Sequence, residues 1–234
     1  MADLAHETFD PGPLAAPGPA GFLAIRHGRS TANDAFAADA DTPVPGRDAD
    51  VPLSDLGVRQ AETLGGLLAA QPPDLVICSP YRRTRQTWAA MVRAARALVP
   101  GWSPPRAVLD ERLRDREMGV LELHPPAAIR RLAPQEAHRR IRQGEWAYRA
   151  PGGESLADVA LRLRALVADL DRAAAGARVL IVTHDAVIAV LRDIFDGAGG
   201  TDSLDPVPNA SVSEWRCDGG RFVLARWADT RHLG

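Results

Sequence analysis

Two histidines and a cluster of arginines stand directly behind short apolar runs. Phe22-Leu23-Ala24-Ile25 leads into Arg26-His27-Gly28, and VLIVT over 179–183 leads into His184-Asp185. LVICS over 75–79 passes through Pro80 into Tyr81-Arg82-Arg83-Thr84-Arg85, and AVLDERL over 107–113 continues into Arg114-Asp115-Arg116-Glu117. A charged group at the end of a buried strand is costly without a partner, so either the strand surfaces there or a charged ligand meets it. The residue types select the ligand. Arginine forks and a helix N-terminus suit a phosphate, and a neutral imidazole suits attack on phosphorus.

Taken singly, each feature has a plainer reading. Arg82, Arg83 and Arg85 fit a solvated helix face, and His184 fits a satisfied core histidine. What outweighs these readings is that four apolar runs deliver such residues in one chain, and the elements explain how they meet. Strands are expected at 22–25, 75–79, 107–113 and 179–183, with a closing pair near 211–217 and 221–227 joined by the hairpin turn Asp218-Gly219-Gly220. Helices are expected at 55–70 behind the N-cap Ser54, at 81–98, at 155–175 and at 186–195. The third is the clearest: Ser155 caps it with Asp158 at the third helical position, and Leu156, Val159, Leu163, Leu166, Val167 and Leu170 form its apolar stripe. Alternating strands and helices predict an α/β layer fold whose sheet is mostly parallel, with an antiparallel hairpin near the C-terminus. In such sheets ligands bind beyond the carboxyl ends of the strands, where these polar residues fall.

Composition removes other classes. The 234 residues suit one domain: a tail over 1–20, rich in Ala, Pro and Gly, followed by a single domain over 21–234. All 28 basic residues are arginine, so a P-loop lysine or a Schiff-base lysine is excluded. A net charge of −2 gives no global field for nucleic acid. Cys78 and Cys217 form no CxxC, and no apolar stretch or signal-type leader is present, so a cytoplasmic protein without metal or membrane partner is expected. The segment 120–153, with paired prolines and an arginine cluster, reads as an excursion from the sheet. Oligomeric state is not encoded in any of these signals.

RHGRSTAN, LSDLGVRQA, SPYRRTRQT, RLRDREMG, PGGES and VLIVTHDAVI, in this order, resemble the histidine phosphatase superfamily, the phosphoglycerate mutase-like fold. The resemblance covers about residues 21–227 and implies a three-layer αβα sandwich and phosphoryl transfer through a phosphohistidine, without cofactor or metal. It implies His27 as nucleophile and Arg26 as the first phosphate clamp, with Ser30 and Asn33 lining the phosphate site. The family arginine stands three residues before Gln and four before Thr, which with Gln86 and Thr87 selects Arg83 over Arg82. His184 matches the second histidine, which donates to the phosphate, and Asp115 holds the position of the acid/base carboxylate.

The sequence departs from the pattern in three places. Asp115 replaces the usual glutamate, and the fourth motif reads THDA where much of this branch has HG, so Glu117, two residues on, and Asp185, directly after the second histidine, stand as alternative proton donors. Arg29 follows RHG where Glu or Gln is common, and reads as a solvent-facing arginine. The third motif is DREMG, whereas the family's mutases resemble ERHYG and carry a longer lid. A phosphomonoesterase acting on a small phosphorylated metabolite is therefore expected. The alternatives are a phosphoglycerate mutase-type transferase and, from another class, an inactive phospho-ligand binding module.

Overall fold

A computed structural model describes residues 18–196 and 205–234. Strands β1 (Gly21–Arg26), β2 (Leu75–Cys78), β3 (Ala107–Leu109), β4 (Arg178–Thr183), β5 (Val212–Asp218) and β6 (Arg221–Asp229) form one mixed sheet in the order β3-β2-β4-β1-β5-β6. The first four are mutually parallel, and β5 and β6 run antiparallel. Gly219 and Gly220 turn the β5–β6 hairpin with both φ positive, at 57° and 81°, a backbone that side chains with a Cβ resist.

The helices are α1 (Thr31–Ala38), α2 (Asp55–Ala70), α3 (Arg82–Leu98), α4 (Pro126–Leu132), α5 (Pro134–Ala147), α6 (Leu156–Ala173) and α7 (Asp185–Asp196). Because side chains alternate across a strand, the central strands split their residues between two cores. Phe22, Ala24, Val179 and Ile181 join Leu156, Val159, Leu163, Val187 and Ile188 of α6 and α7. Ile25, Leu180 and Val182 join Leu64, Leu68, Met91 and Ala95 of α2 and α3. The result is the expected three-layer αβα sandwich. Each fully buried Leu or Ile contributes about 1.5–3 kcal/mol, so the α6 stripe alone is a major part of the core. Leu56 of α2, which shares an expected apolar face with Leu64, Leu67 and Leu68, is 43% exposed. At 100° per residue it lies about 80° from Leu64.

Several elements differ from expectation. Only Ala107–Leu109 of the 107–113 run pairs as a strand. Asp110 then turns its carboxylate onto the Arg112 N–H (2.8 Å), starting a 3-10 turn at Glu111–Leu113. Helix α1 carries little apolar periodicity, yet Ser30 and Asn33 form a reciprocal capping box that begins it. The 120–153 excursion folds into α4 and α5 over its own small core of Leu121, Ile129, Tyr148 and Ala150. The expected tail falls mostly outside the described residues; its last part, Gly18 and Ala20, is already bonded to the domain at Gly176 (3.0 Å) and Ala177 (2.8 Å). Among the described residues no helix is long and apolar enough to cross a membrane.

Candidate active site

The parallel register brings the two histidines together. Arg26 pairs with Thr183, the His27 N–H continues the ladder to the Thr183 carbonyl (2.9 Å), and the next residue is His184. Their rings lie 5.2 Å apart, both buried. The turn after His27 is fixed from outside: the Gly28 N–H donates to Thr87 Oγ1 (3.1 Å), and a Cβ on Gly28 would stand 2.3 Å from the Gly57 carbonyl of α2. This close approach is why RHG and the LG of LSDLG both need glycine.

His27 Nδ1 lies 2.7 Å from the Gly28 carbonyl and therefore carries the proton, which leaves Nε2 as an acceptor. Arg83 Nε donates to that Nε2 at 3.1 Å. Burial, then the charges of Arg83, His184 and Arg26, hold the His27 pKa well below the usual imidazole value. His184 is lowered in the same way, by burial first and then by Arg83. Its Nε2 meets Ser79 Oγ at 2.9 Å, and its Nδ1 faces Arg83 Nη2 (3.1 Å) and Asp115 Oδ2 (3.3 Å). Ser79, at the end of β2, therefore orients the second histidine.

The neighbours Arg82 and Arg83 separate cleanly: Arg83 is buried in the site and Arg82 is exposed. Arg26 donates to the Val207 carbonyl (2.6 Å) and pairs with Asp185 (3.0 Å). Among the described residues its Nε is a buried donor without an acceptor, which suits an oxyanion. Asn33 Oδ1 accepts from Ser30 and from Asn209 Nδ2 (3.2 Å), so its amide nitrogen is the group left for a ligand. Ser30 borders the same cavity, but its hydroxyl is spent on the α1 cap, accepting from the Asn33 N–H (3.1 Å) and donating to Asn33 Oδ1 (3.0 Å). Its role here is to hold the turn.

Of the three carboxylates considered as proton donors, Asp115 lies in the cluster, 2.9 Å from Arg83 Nη2. Glu117 pairs with Arg114 (3.2 Å) and lines a neighbouring cavity, while Asp185 is engaged by Arg26. The loop carrying Asp115 is braced by residues without an assigned purpose in the sequence. Glu154 of PGGES accepts from Arg114 (2.5 Å), Arg162 (3.0 Å) and the Glu117 N–H (3.2 Å), and Arg162 also donates to the Asp115 carbonyl (3.1 Å). Arg29 ion-pairs with Asp34 and does not line the cavity. Asp48, which belongs to none of the sequence motifs, grips Arg83 through both carboxylate oxygens (2.8 and 3.1 Å). The cavity, about 470 Å3, is walled in part by Phe36, Met118, Leu121, Leu123 and Ile129. Among the described residues no group of three or more His, Cys, Asp or Glu is placed to hold a metal ion.

The two neutral histidines make stability depend on pH. Below about pH 6.5 they gain protons in the unfolded chain but not in the fold, so each weakens the fold by about 1.4 kcal/mol per pH unit. Asp48, whose pKa is pushed up to about 6 chiefly by burial, acts in the opposite direction below that pH. Tm is therefore expected to fall on acidification from about pH 6.5, and to fall more steeply in Asp48→Asn. A thermal melt series that is flat down to about pH 5 would contradict this.

A six-stranded mixed sheet with two histidines and two arginines at its carboxyl edge is an α/β arrangement whose site suits a phosphoryl group. The sequence profile of the histidine phosphatase superfamily (branch 1) matches residues 22–230, and the chain belongs to that superfamily. The probable phosphoglycerate mutase GpmB of Yersinia enterocolitica is 32% identical over 219 residues, covering 89% of this chain and 93% of that protein. Among solved structures, Bacillus stearothermophilus YhfR superposes with a TM-score of 0.73 at 27% identity, over 92% of this chain and 99% of that one. The mycobacterial glucosyl-3-phosphoglycerate phosphatase Rv2419c, solved with VO3, gives 0.70 at 25% identity, over 90% and 99%.

Proposed function

We propose that this protein is a phosphomonoesterase that hydrolyses a small phosphorylated metabolite through a phosphohistidine on His27. The observation that carries the reading is the His27 tautomer: Nδ1–H locked on the Gly28 carbonyl, with the Nε2 lone pair in the cluster of Arg26, Arg83 and His184. In this reading Nε2 attacks phosphorus and the ester P–O bond breaks. Asp115 gives its proton to the leaving oxygen. Water then attacks the phosphohistidine and passes a proton back to Asp115 as the P–N bond breaks. Arg26 and Arg83 neutralise the equatorial oxygens and His184, uncharged in the empty site, adds a hydrogen bond, which is most of what phosphoryl transfer requires.

Mutase-type transfer is the second reading, favoured by the likeness to the Yersinia protein. The cavity favours hydrolysis of a simpler ester. Every arginine lining it is already paired with a carboxylate, Arg116 and Arg140 with Glu145 and the others as above. With Arg26 and Arg83 taken by the phosphoryl group itself, the other two arginines lining the cavity among the described residues, Arg116 and Arg140, share Glu145, so no cavity arginine stands free for the second anionic group that a phosphoglycerate or bisphosphate carries. The apolar part of the wall suits an uncharged leaving group. The test is turnover of p-nitrophenyl phosphate with and without EDTA, beside an isomerisation assay with 3-phosphoglycerate and 2,3-bisphosphoglycerate. Hydrolysis unaffected by EDTA, with no isomerisation, is expected. Isomerisation faster than hydrolysis would favour the second reading, and loss of turnover in EDTA restored by a divalent ion would contradict the mechanism.

A further inference from the structure

Arg83 has five N–H groups, and the protein already uses all of them. Nε–H goes to His27 Nε2. Nη1 donates to the Asp48 carbonyl (2.7 Å) and to Asp48 Oδ1 (2.8 Å). Nη2 is shared among Asp48 Oδ2 (3.1 Å), Asp115 Oδ2 (2.9 Å) and His184 Nδ1 (3.1 Å). A phosphoryl group seated on His27 Nε2 needs donors from this same guanidinium, so an acceptor now on it must give way. The charge balance says the same. Four arginines and five carboxylates line the cavity, which does not favour a dianion while every carboxylate is ionised and in place.

The surroundings identify which acceptor can leave. Asp115 is held at two points: its Oδ1 accepts from the Arg116 N–H (2.8 Å), and its carbonyl accepts from Arg162 (3.1 Å). The Asp48 carboxylate has Arg83 as its sole hydrogen-bond partner among the described residues. It stands on a 3-10 turn at Asp48–Asp50, tethered by its backbone, whose N–H donates to Glu122 Oε1 (2.7 Å). Asp48 also forms part of the wall of a second cavity, lined by Arg47 and Arg114.

We propose that Asp48 is an internal stand-in for the substrate's phosphoryl group, occupying the Arg83 fork and turning out of it when an oxyanion binds, so that Asp48 sets how tightly the site holds phosphate. The charged and titratable groups facing it are Arg83 and Tyr81 at the start of α3, Asp115, Glu117 and Arg116 on the third-motif loop, and Glu122. Burial first, and then the carboxylates Asp115 and Glu122, raise its pKa to about 6 against the opposing pull of Arg83. Protonation therefore frees the fork in mildly acid solution, and ionisation closes it above.

The inference rests on the phosphoryl-binding reading of this site and not on turnover, and its probe is inorganic phosphate. Calorimetric titration of the full chain and of Asp48→Asn from about pH 5 to about pH 8 compares the two, and the ratio of their affinities cancels the titration of phosphate itself. Asp48→Asn is expected to bind phosphate about tenfold tighter at the alkaline end, with the ratio shrinking towards one at the acid end, because a neutral amide competes less well than a charged fork partner. Asp48→Ser, which removes the second oxygen as well, moves affinity in the same direction and serves if the amide variant does not fold. A residue that merely held Arg83 in place would give weaker phosphate binding in both variants. That result, an unchanged affinity, a ratio that does not vary with pH, or phosphate bound by none of the three proteins would overturn the proposal. Turnover of p-nitrophenyl phosphate by the unmodified chain is measured in parallel. Its absence, with the phosphate ratio as expected, would count against the phosphatase reading alone.

Discussion

His27→Ala is expected to abolish phosphatase turnover, by a factor on the order of 10⁴ or more, while leaving the fold intact. The size follows from position. In the proposed mechanism Nε2 of His27 is the nucleophile around which the charged groups converge, and the ring proton is held on the opposite nitrogen by the Gly28 carbonyl at 2.7 Å. The Arg83 Nε–H, 3.1 Å away, then becomes a donor to the phosphoryl oxygens that gather at the same point. Removing the imidazole leaves the clamps with a bound ester and no group to take the phosphoryl. A rapid acid quench of the unmodified enzyme with labelled substrate should trap phosphate that is acid-labile and base-stable on His27. Label on a serine, or His27→Ala activity within about tenfold of the parent, would contradict the covalent route.

Arg83→Ala should be the next most damaging change and should fall on kcat. Arg82 and Arg83 leave α3 about 100° apart, and the structure buries one among His27, His184, Asp48 and Asp115 while exposing the other. Losing a charge-assisted fork that strengthens in the transition state costs about 3–5 kcal/mol, or about 10²–10⁴ in rate. The alanine variant also leaves Asp48 and Asp115 facing the phosphate without their shared counter-charge, which adds to the loss. Arg83→Lys should recover little, because an ammonium cannot serve His27, His184 and two carboxylates from one plane. Arg82→Ala should change KM by about tenfold or less, with kcat nearly intact. Steady-state kinetics of both alanine variants on one substrate decide between the neighbours. A larger kcat loss at Arg82 would place the phosphate on the other arginine.

The layer architecture and the meeting of His27 and His184 are legible in the chain because they rest on local, periodic signals, whereas Arg83 is picked out from Arg82 only by the resemblance to the family motif. The runs before Arg26-His27 and before His184 are strands whose alternate residues must face two cores, so both histidines arrive at one edge once the strands pair in parallel. Ser155 and Asp158 announce α6 by the same logic of short-range hydrogen bonds. What the amino-acid order alone does not disclose is how loops share their charges. Asp48 lies 35 residues from Arg83 in the chain and Glu154 lies 40 from Arg114, and no periodicity links either pair. Which of Asp115, Glu117 and Asp185 shares Arg83 likewise depends on how Arg162 and Glu154 hold one loop against α6. Ser30 looks like a phosphate ligand by position, yet the start of α1 claims its hydroxyl. Ion pairs between distant loops form only after the layers have packed, when burial removes water and leaves each guanidinium to its nearest carboxylate, so these partners were decided by the tertiary structure alone.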